Sequence, residues 1–223
     1  MIKLENVSKS YNGASVFENL SAEFREGQVS CILGASGVGK TTLIRLLSGL
    51  VKPDSGNVIL PPGARPSYVF QEPRLLPWYN VYNNLDFVLR DIYPKERRKE
   101  IIMRYLKLVG LEDYCNAPLT DLSGGMIQRV SLCRAFIYPS DILCLDEPFV
   151  GLDIKLKEEL AEAFAKIYED DGRTVFFVTH SLEEAKCLAD TIYILAGRPA
   201  KIAAVIEKDE FDKELHLRLR ELL

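Results

Sequence analysis

Gly34, Gly39, Lys40 and Thr41 stand at the spacing G-x-x-x-x-G-K-[ST], and these residue types at this spacing suit a loop that wraps a polyphosphate. Glycines at 34, 37 and 39 let backbone N–H groups come close to phosphate oxygens, with the dipole of a following helix behind them. Lys40 then supplies a point charge to the β- and γ-phosphates, and the Thr41 hydroxyl can take one position on Mg²⁺. The expected nucleotide-binding stretch is Gly34, Ala35, Ser36, Gly37, Val38, Gly39, Lys40, Thr41 and Thr42. A glycine-rich turn that binds nothing would leave Lys40-Thr41 without a purpose.

Asp146 and Glu147 are the second constellation. Asp146 is the natural partner of Mg²⁺, and Glu147, one residue on, can orient or deprotonate the attacking water. His180 follows the apolar run Thr174–Thr179, in line with Glu147, where an imidazole can hydrogen-bond a γ-phosphate and that water. The other histidine, His216, lies in a charged tail and reads as a solvated side chain. Ser181 and Glu184 have capping-box spacing, so Ser181 is expected to start a helix.

The elements that must position these groups are legible around them. Val29–Leu33, Ile142–Leu145 and Thr174–Thr179 are short apolar runs suited to buried parallel strands. The stretch from Thr42 onward has the dense apolar pattern of a packed helix. Leu122–Gly125 (LSGG) precedes a helical pattern with Ile127, Val130, Leu132, Cys133 and Phe136 on it. A Ser-Gly-Gly turn opening a helix is a second anion site. Two phosphate-binding ends in one chain are used economically by a head-to-tail pair, each subunit closing the other's site.

In the order phosphate loop, Gln71, LSGG, Asp146-Glu147-Pro148, Gly151-Leu152-Asp153 and Thr179-His180, the chain resembles the ATP-binding subunit of ABC transporters along nearly its whole length. The resemblance implies an α/β fold: a P-loop NTPase (RecA-like) core on a mainly parallel sheet, an N-terminal antiparallel β portion and an inserted helical subdomain. It implies hydrolysis of ATP with Mg²⁺. Tyr11 looks like the aromatic that stacks on adenine, a contact worth about 1–3 kcal/mol. Gln71 resembles the glutamine that joins the subdomains and senses Mg²⁺ and water. Ser123, Gly124 and Gly125 would contact the γ-phosphate held by the opposite subunit, and Asp153 would act across the same interface. The implied partners are a second copy of the ATPase, transmembrane permease subunits and, indirectly, a solute-binding protein, on the cytoplasmic side of the inner membrane.

Within that family, VFQEPRLLPW at Val69–Trp78, Met126 after LSGG and GRPAKIAAV at Gly197–Val205 are similar to the importer ATPases for nitrate, taurine and sulfonates. Met126 stands where glutamine is commoner, Ser181 where aspartate follows the histidine, and Val150-Gly151 where a small pair precedes Leu-Asp. None of these removes a phosphate, metal or water ligand. The alternative from another class is a soluble ABC ATPase of an iron-sulfur-assembly or other scaffold complex. A small-molecule P-loop kinase would leave LSGG unexplained.

Composition narrows the field. Lys plus Arg at 28 against Asp plus Glu at 32 gives a net charge of −4, which argues against nucleic acid as partner. No run approaches about 18 apolar residues, so the chain is expected neither to span a membrane nor to be exported. The five cysteines, Cys31, Cys115, Cys133, Cys144 and Cys187, lack metal spacing and read as buried reduced thiols. A single ABC ATPase domain is expected, with residues 1–71 and 136–205 as the nucleotide-binding core, 72–135 as a helical subdomain carrying LSGG, and 206–223 as a helical tail. Glu72–Tyr82, with Trp78, Tyr79 and two prolines, reads as a surface that grips a membrane partner; the competing reading packs Trp78 inside the helical part.

Overall fold

The computed structural model describes residues 1–211, apart from the side chains at positions 154, 163, 166 and 168–171. The chain opens with strands β1 (Ile2–Tyr11) and β2 (Ala14–Phe24), joined by a two-residue turn, Asn12-Gly13. Both turn residues have positive φ, 50° and 80°, the geometry that matches the twist of a tight hairpin. There follow β3 (Val29–Gly34), α1 (Lys40–Leu47), β4 (Ser55–Ile59) and β5 (Pro66–Val69). The middle of the chain is α2 (Val81–Phe87), α3 (Lys95–Leu108) and α4 (Gly124–Ile137). The last part alternates as β6 (Ile142–Asp146), α5 (Ile154–Asp171), β7 (Thr174–Val178), α6 (Leu182–Leu188), β8 (Thr191–Ala196) and β9 (Lys201–Glu207).

Two sheets result. An antiparallel sheet has the order β2-β1-β4, and a six-stranded sheet has the order β5-β6-β7-β3-β8-β9, parallel except for β9. The N-terminal antiparallel portion and the mainly parallel core are thus as expected. β6 and β7 are buried along their whole length because both faces of the large sheet are covered. Alternate residues enter different cores. Ile142 and Cys144 join Ile32, Val178, α1 and the small sheet, whereas Leu143 and Leu145 join Leu33, Phe177 and the helices of the other face. Asp146, two residues beyond Cys144, therefore projects on the α1 side.

Two elements run across the expected limits of the core, α4 at its start and β9 at its end. Residue 136 falls inside α4, which runs unbroken to Ile137 because it packs on several partners at once. Cys133 donates its thiol to the Tyr105 carbonyl of α3 at 3.6 Å, and three residues later Phe136 stacks on Phe164 of α5 at 4.0 Å. The core also extends past 205, since β9 pairs with β8 through Glu207. Residues 208–210 form a single 3-10 turn, and positions 212–223 of the expected helical tail, including His216, lie outside the described residues. Among described residues 72–135 there is no strand beyond one isolated bridge, Asn80 with Pro118.

Cys31, Cys133 and Cys144 are buried free thiols, as expected, and burial pushes Cys133 up to about 12. Cys187 departs from that expectation: it is exposed, on the outer face of α6. No described helix is long and apolar enough to cross a membrane.

Candidate active site

The phosphate loop turns from β3 into α1 at the carboxyl end of the large sheet, where ligands sit in open α/β sheets. Gly39 caps α1 with φ 116°, so the helix begins at Lys40, two residues earlier than its apolar pattern suggests. The glycines serve different ends. A Cβ on Gly34 would lie 2.4 Å from the Leu195 carbonyl oxygen of β8, and one on Gly39 would lie 2.6 Å from Val16 Cγ1 of β2. Those two positions are glycine because other strands press on them. Gly37, with φ 74° and open space about its missing Cβ, is the one that faces outward, between exposed Ala35 and Ser36 and buried Val38.

Lys40 is buried, and its ammonium turns back to donate to the carbonyls of Gly34 at 2.8 Å and Ala35 at 3.0 Å. Burial lowers its pKa, and the carboxylates of Glu147 and Asp146 work against that shift. The next side chain reaches the acidic strand end: Thr41 Oγ1 donates to Asp146 Oδ1 at 2.9 Å. Asp146 is 2% exposed, so its second oxygen needs a protein partner, and Tyr68 of β5 donates its hydroxyl to Oδ2 at 3.1 Å. Burial raises the Asp146 pKa; the bonds from Thr41 and Tyr68 and the Arg45 guanidinium pull it down.

Glu147 has φ 49°, a left-handed conformation that is costly for a side chain with a Cβ. It is held there by its own N–H, which donates to the Val178 carbonyl of β7 at 3.0 Å. The kink ends β6 and turns the carboxylate toward His180, whose Nδ1 lies 3.8 Å from Glu147 Oε2. His180 is mostly exposed, just past β7. Behind it Thr179 donates to Glu184 Oε2 at 2.6 Å and accepts from Ser181 N–H at 3.0 Å. Only half of the expected capping box forms: Ser181 accepts from Glu184 N–H, but the Glu184 carboxylate goes to Thr179 instead of back to Ser181. The reason is competition, since Thr179 already satisfies the Ser181 N–H.

Ser123 caps α4 by accepting from Met126 N–H at 3.3 Å, and Ser123 and Gly124 are exposed. Gly125 faces Leu152: a Cβ there would sit 3.4 Å from Leu152 Cδ2. Asp153 caps α5, accepting from Leu156 N–H at 3.0 Å. Tyr11 ends β1 with an exposed ring, 5.4 Å from Lys9 Nζ, and Gln71 is exposed two residues past β5. The structure therefore assembles Lys40, Thr41, Asp146, Glu147 and His180 in one place, and sets Tyr11, Gln71, Ser123, Gly124, Gly125 and Asp153 on exposed or half-buried surface.

Sequence reasoning passed over two residues. Tyr68 is one, and its short strand carries no signal for it. Gln128 is the other: it is buried and donates to the Pro148 carbonyl at 2.8 Å, so α4 is tied to the segment just after Glu147. A glutamine four residues before Leu132 and seven before Ala135, on a buried stripe, is a legible sign of a specific polar contact.

The metal question can be put to these donors. Among the described residues no three His, Cys, Asp or Glu side chains form a metal cage. Mg²⁺ needs none: it is a hard cation held by one or two protein oxygens plus phosphates, and the Thr41 hydroxyl and Asp146 carboxylate fit it. A cavity of about 670 Å³ lies elsewhere, against the amino-terminal ends of β5, β6 and β7. Two ion pairs line it, Arg65 with Asp141 and Arg97 with Glu100, and it shares no residue with the phosphate loop.

A family profile described as ABC transporter matches residues 17–150. An uncharacterized ABC transporter ATP-binding protein of Methanocaldococcus jannaschii is 39% identical over 93% of this chain and 82% of its own length. The bicarbonate transport ATP-binding protein CmpD of Synechococcus elongatus is 38% identical, over 88% of this chain and 76% of its own. The taurine import ATP-binding protein TauB of Pelagibacter ubique is 35% identical, over 89% and 78%. Among solved structures, a dimeric ATP-binding cassette in a post-hydrolysis state with ADP and Pi superposes with a TM-score of 0.84 at 28% identity, covering 93% of this chain and 99% of that one. Fold, motif order and relatives agree: the chain belongs to the ABC transporter family, as one of its ATP-hydrolysing ATP-binding cassettes.

Proposed function

We propose that this ATPase powers a membrane importer for a small organic or inorganic nutrient of the nitrate, taurine and sulfonate class, working as one of a pair. The observation that carries the catalytic half is the convergence of Lys40, Thr41, Asp146 and Glu147 at the carboxyl end of the large sheet. Lys40, freed from its two loop carbonyls, binds the β- and γ-phosphates, and the N–H groups of Gly37 to Thr41 complete the cradle. Thr41 and Asp146, with Gln71 at the subdomain junction, would hold Mg²⁺, which when bound neutralises charge developing on the phosphates. Glu147 takes the proton of the attacking water, and His180 steadies that water and the γ-phosphate. The left-handed backbone at 147 aims the carboxylate before any ligand arrives.

Ser123, Gly124, Gly125 and Asp153 would act on the nucleotide of a second copy, and Tyr11 would stack on its own adenine. Their exposure supports this reading, because an interface between copies needs such surface. ATP then favours the closed pair only through the added contacts across it.

The importer half draws on the bicarbonate and taurine relatives and on one surface. Trp78 is 72% exposed and Phe87 50%, with Tyr79 between them and the Arg90 guanidinium 5.4 Å from the Tyr79 ring. The loop beneath is stiff: buried Asn84 accepts from Leu76 N–H and donates to the carbonyls of Leu76, Tyr79 and Asn80. A pinned loop with its aromatics outside is a receptor for a permease, with a solute-binding protein one step further away, at the cytoplasmic side of the membrane. The test is affinity capture of tagged protein from detergent-solubilised membranes of its own cell, with Trp78→Ala alongside. Co-elution of a multi-span membrane protein, lost in Trp78→Ala while basal ATPase persists, is the expected result. Recovery of soluble assembly proteins alone would overturn the importer reading.

A further inference from the structure

We propose that Tyr68 is a positioning residue for the metal site, fixing the Asp146 carboxylate and tying it to strand β5. The inference rests on the reading of Asp146 as a residue that holds Mg²⁺. Tyr68 pairs level with Cys144 in parallel register, and Cys144 and Asp146 share one face of β6. A phenol is long enough to reach two residues along that face, and its hydroxyl meets Asp146 Oδ2 at 3.1 Å while Thr41 holds Oδ1 at 2.9 Å. Both carboxylate oxygens are therefore engaged from different elements, and the group cannot rotate without giving one bond up.

Water cannot stand in for the phenol, because Asp146 is 2% exposed. Removing the hydroxyl leaves Oδ2 short of a donor in a buried place. The ring itself is held separately, tilted against Phe70 with centroids 4.5 Å apart, so Tyr68→Phe keeps the packing and loses only the hydroxyl's bonds, to Asp146 and to the Arg45 guanidinium. Partners that orient a metal ligand are worth about 10–100-fold in metal affinity.

β5 is an edge strand of four residues that pairs with β6 and bonds α4 through Ser67 Oγ, which donates to the Ala135 carbonyl at 3.0 Å, and it runs directly into Gln71 and the Glu72–Tyr82 loop. Tyr68 is thus the side chain through which that strand reaches the acidic strand end.

The test measures the affinity of a non-hydrolysable ATP analogue with Mg²⁺ and with EDTA, for the parent, Tyr68→Phe, Asp146→Asn and the double variant. The expected result for Tyr68→Phe is an unchanged affinity in EDTA and a loss of about 10-fold in the strengthening that Mg²⁺ gives. Asp146→Asn should lose at least as much, and the double variant no more than Asp146→Asn alone. A Tyr68→Phe protein that keeps the full Mg²⁺ effect while Asp146→Asn loses it would overturn the proposal and leave the metal reading intact. If Asp146→Asn also keeps it, the metal reading itself fails and the proposal with it. A purely structural tyrosine would lower both affinities together.

Discussion

Gln128 donates from Nε2 to the Pro148 carbonyl at 2.8 Å, and so joins the signature helix α4 to the turn that carries Glu147. Both ends of the bond are held in buried or half-buried surroundings, so its loss is not made good by solvent. Gln128→Met, of similar length, should lower unfolding free energy by about 1–3 kcal/mol, the cost of an unsatisfied buried acceptor. Urea unfolding checks this; ATP affinity should hold, because neither group faces the phosphate loop. An unchanged midpoint would mean that the bond contributes nothing.

Lys40 has two roles in opposition. As a buried ammonium on two carbonyls it contributes little to stability, since burial itself disfavours its charge. As a phosphate ligand it forms charge-assisted bonds worth about 1.5–3 kcal/mol. Lys40→Ala should weaken ATP about 10- to 100-fold while its thermal midpoint without nucleotide stays close to the parent's. Calorimetric titration and a melting curve read the two separately.

The acid limb of the stability profile should carry the mark of Asp86. Burial pushes this carboxyl up, but the bonds from Arg98 at 2.6 Å and Arg90 at 2.9 Å outweigh it and hold the group below its ordinary 3.8. A lowered folded pKa means the contribution is complete above the unfolded value and is lost as pH falls through the lower folded one. Asp86→Asn should therefore destabilise the protein at pH 7, and the gap between variant and parent should close below about pH 4. Chemical unfolding across pH 2–7 checks both statements; a gap that widens in acid would refute the assignment.

Much of this was legible in the residues. Val29–Leu33, Ile142–Leu145 and Thr174–Val178 are strands because their apolar runs fit a sheet covered on both faces, and Thr179 lies just past the last of them. The Ser123 turn opens a helix as its spacing says. What was not legible depends on distant parts of the chain meeting. Nothing in Pro66–Val69 announces that Tyr68 reaches Asp146, and nothing near Glu147 announces a left-handed backbone held by Val178. Nor does periodicity reveal that α4 serves α3 and α5 alike.

The phosphate-loop glycines show the same limit. Motif chemistry assigns all three to ligand approach, yet Gly34 is pressed by Leu195 and Gly39 by Val16. Gly34→Ala should destabilise the fold more than Gly37→Ala. The first forces backbone apart at a contact of 2.4 Å, at about 1–3 kcal/mol or more, and the second meets only the strain of positive φ, about 1–2 kcal/mol. Comparing unfolding midpoints without nucleotide separates this from any effect on binding.

The most direct test of the account is Glu147→Gln, followed by turnover and by light scattering with and without ATP. The amide keeps the shape of the side chain and cannot accept the water's proton. Turnover should fall by about 10²–10⁴-fold with ATP affinity retained, and the monomer should become a stable dimer when ATP is added. Turnover at the parent's rate would remove Glu147 from the chemistry, and a protein that stays monomeric with ATP bound would contradict the paired site.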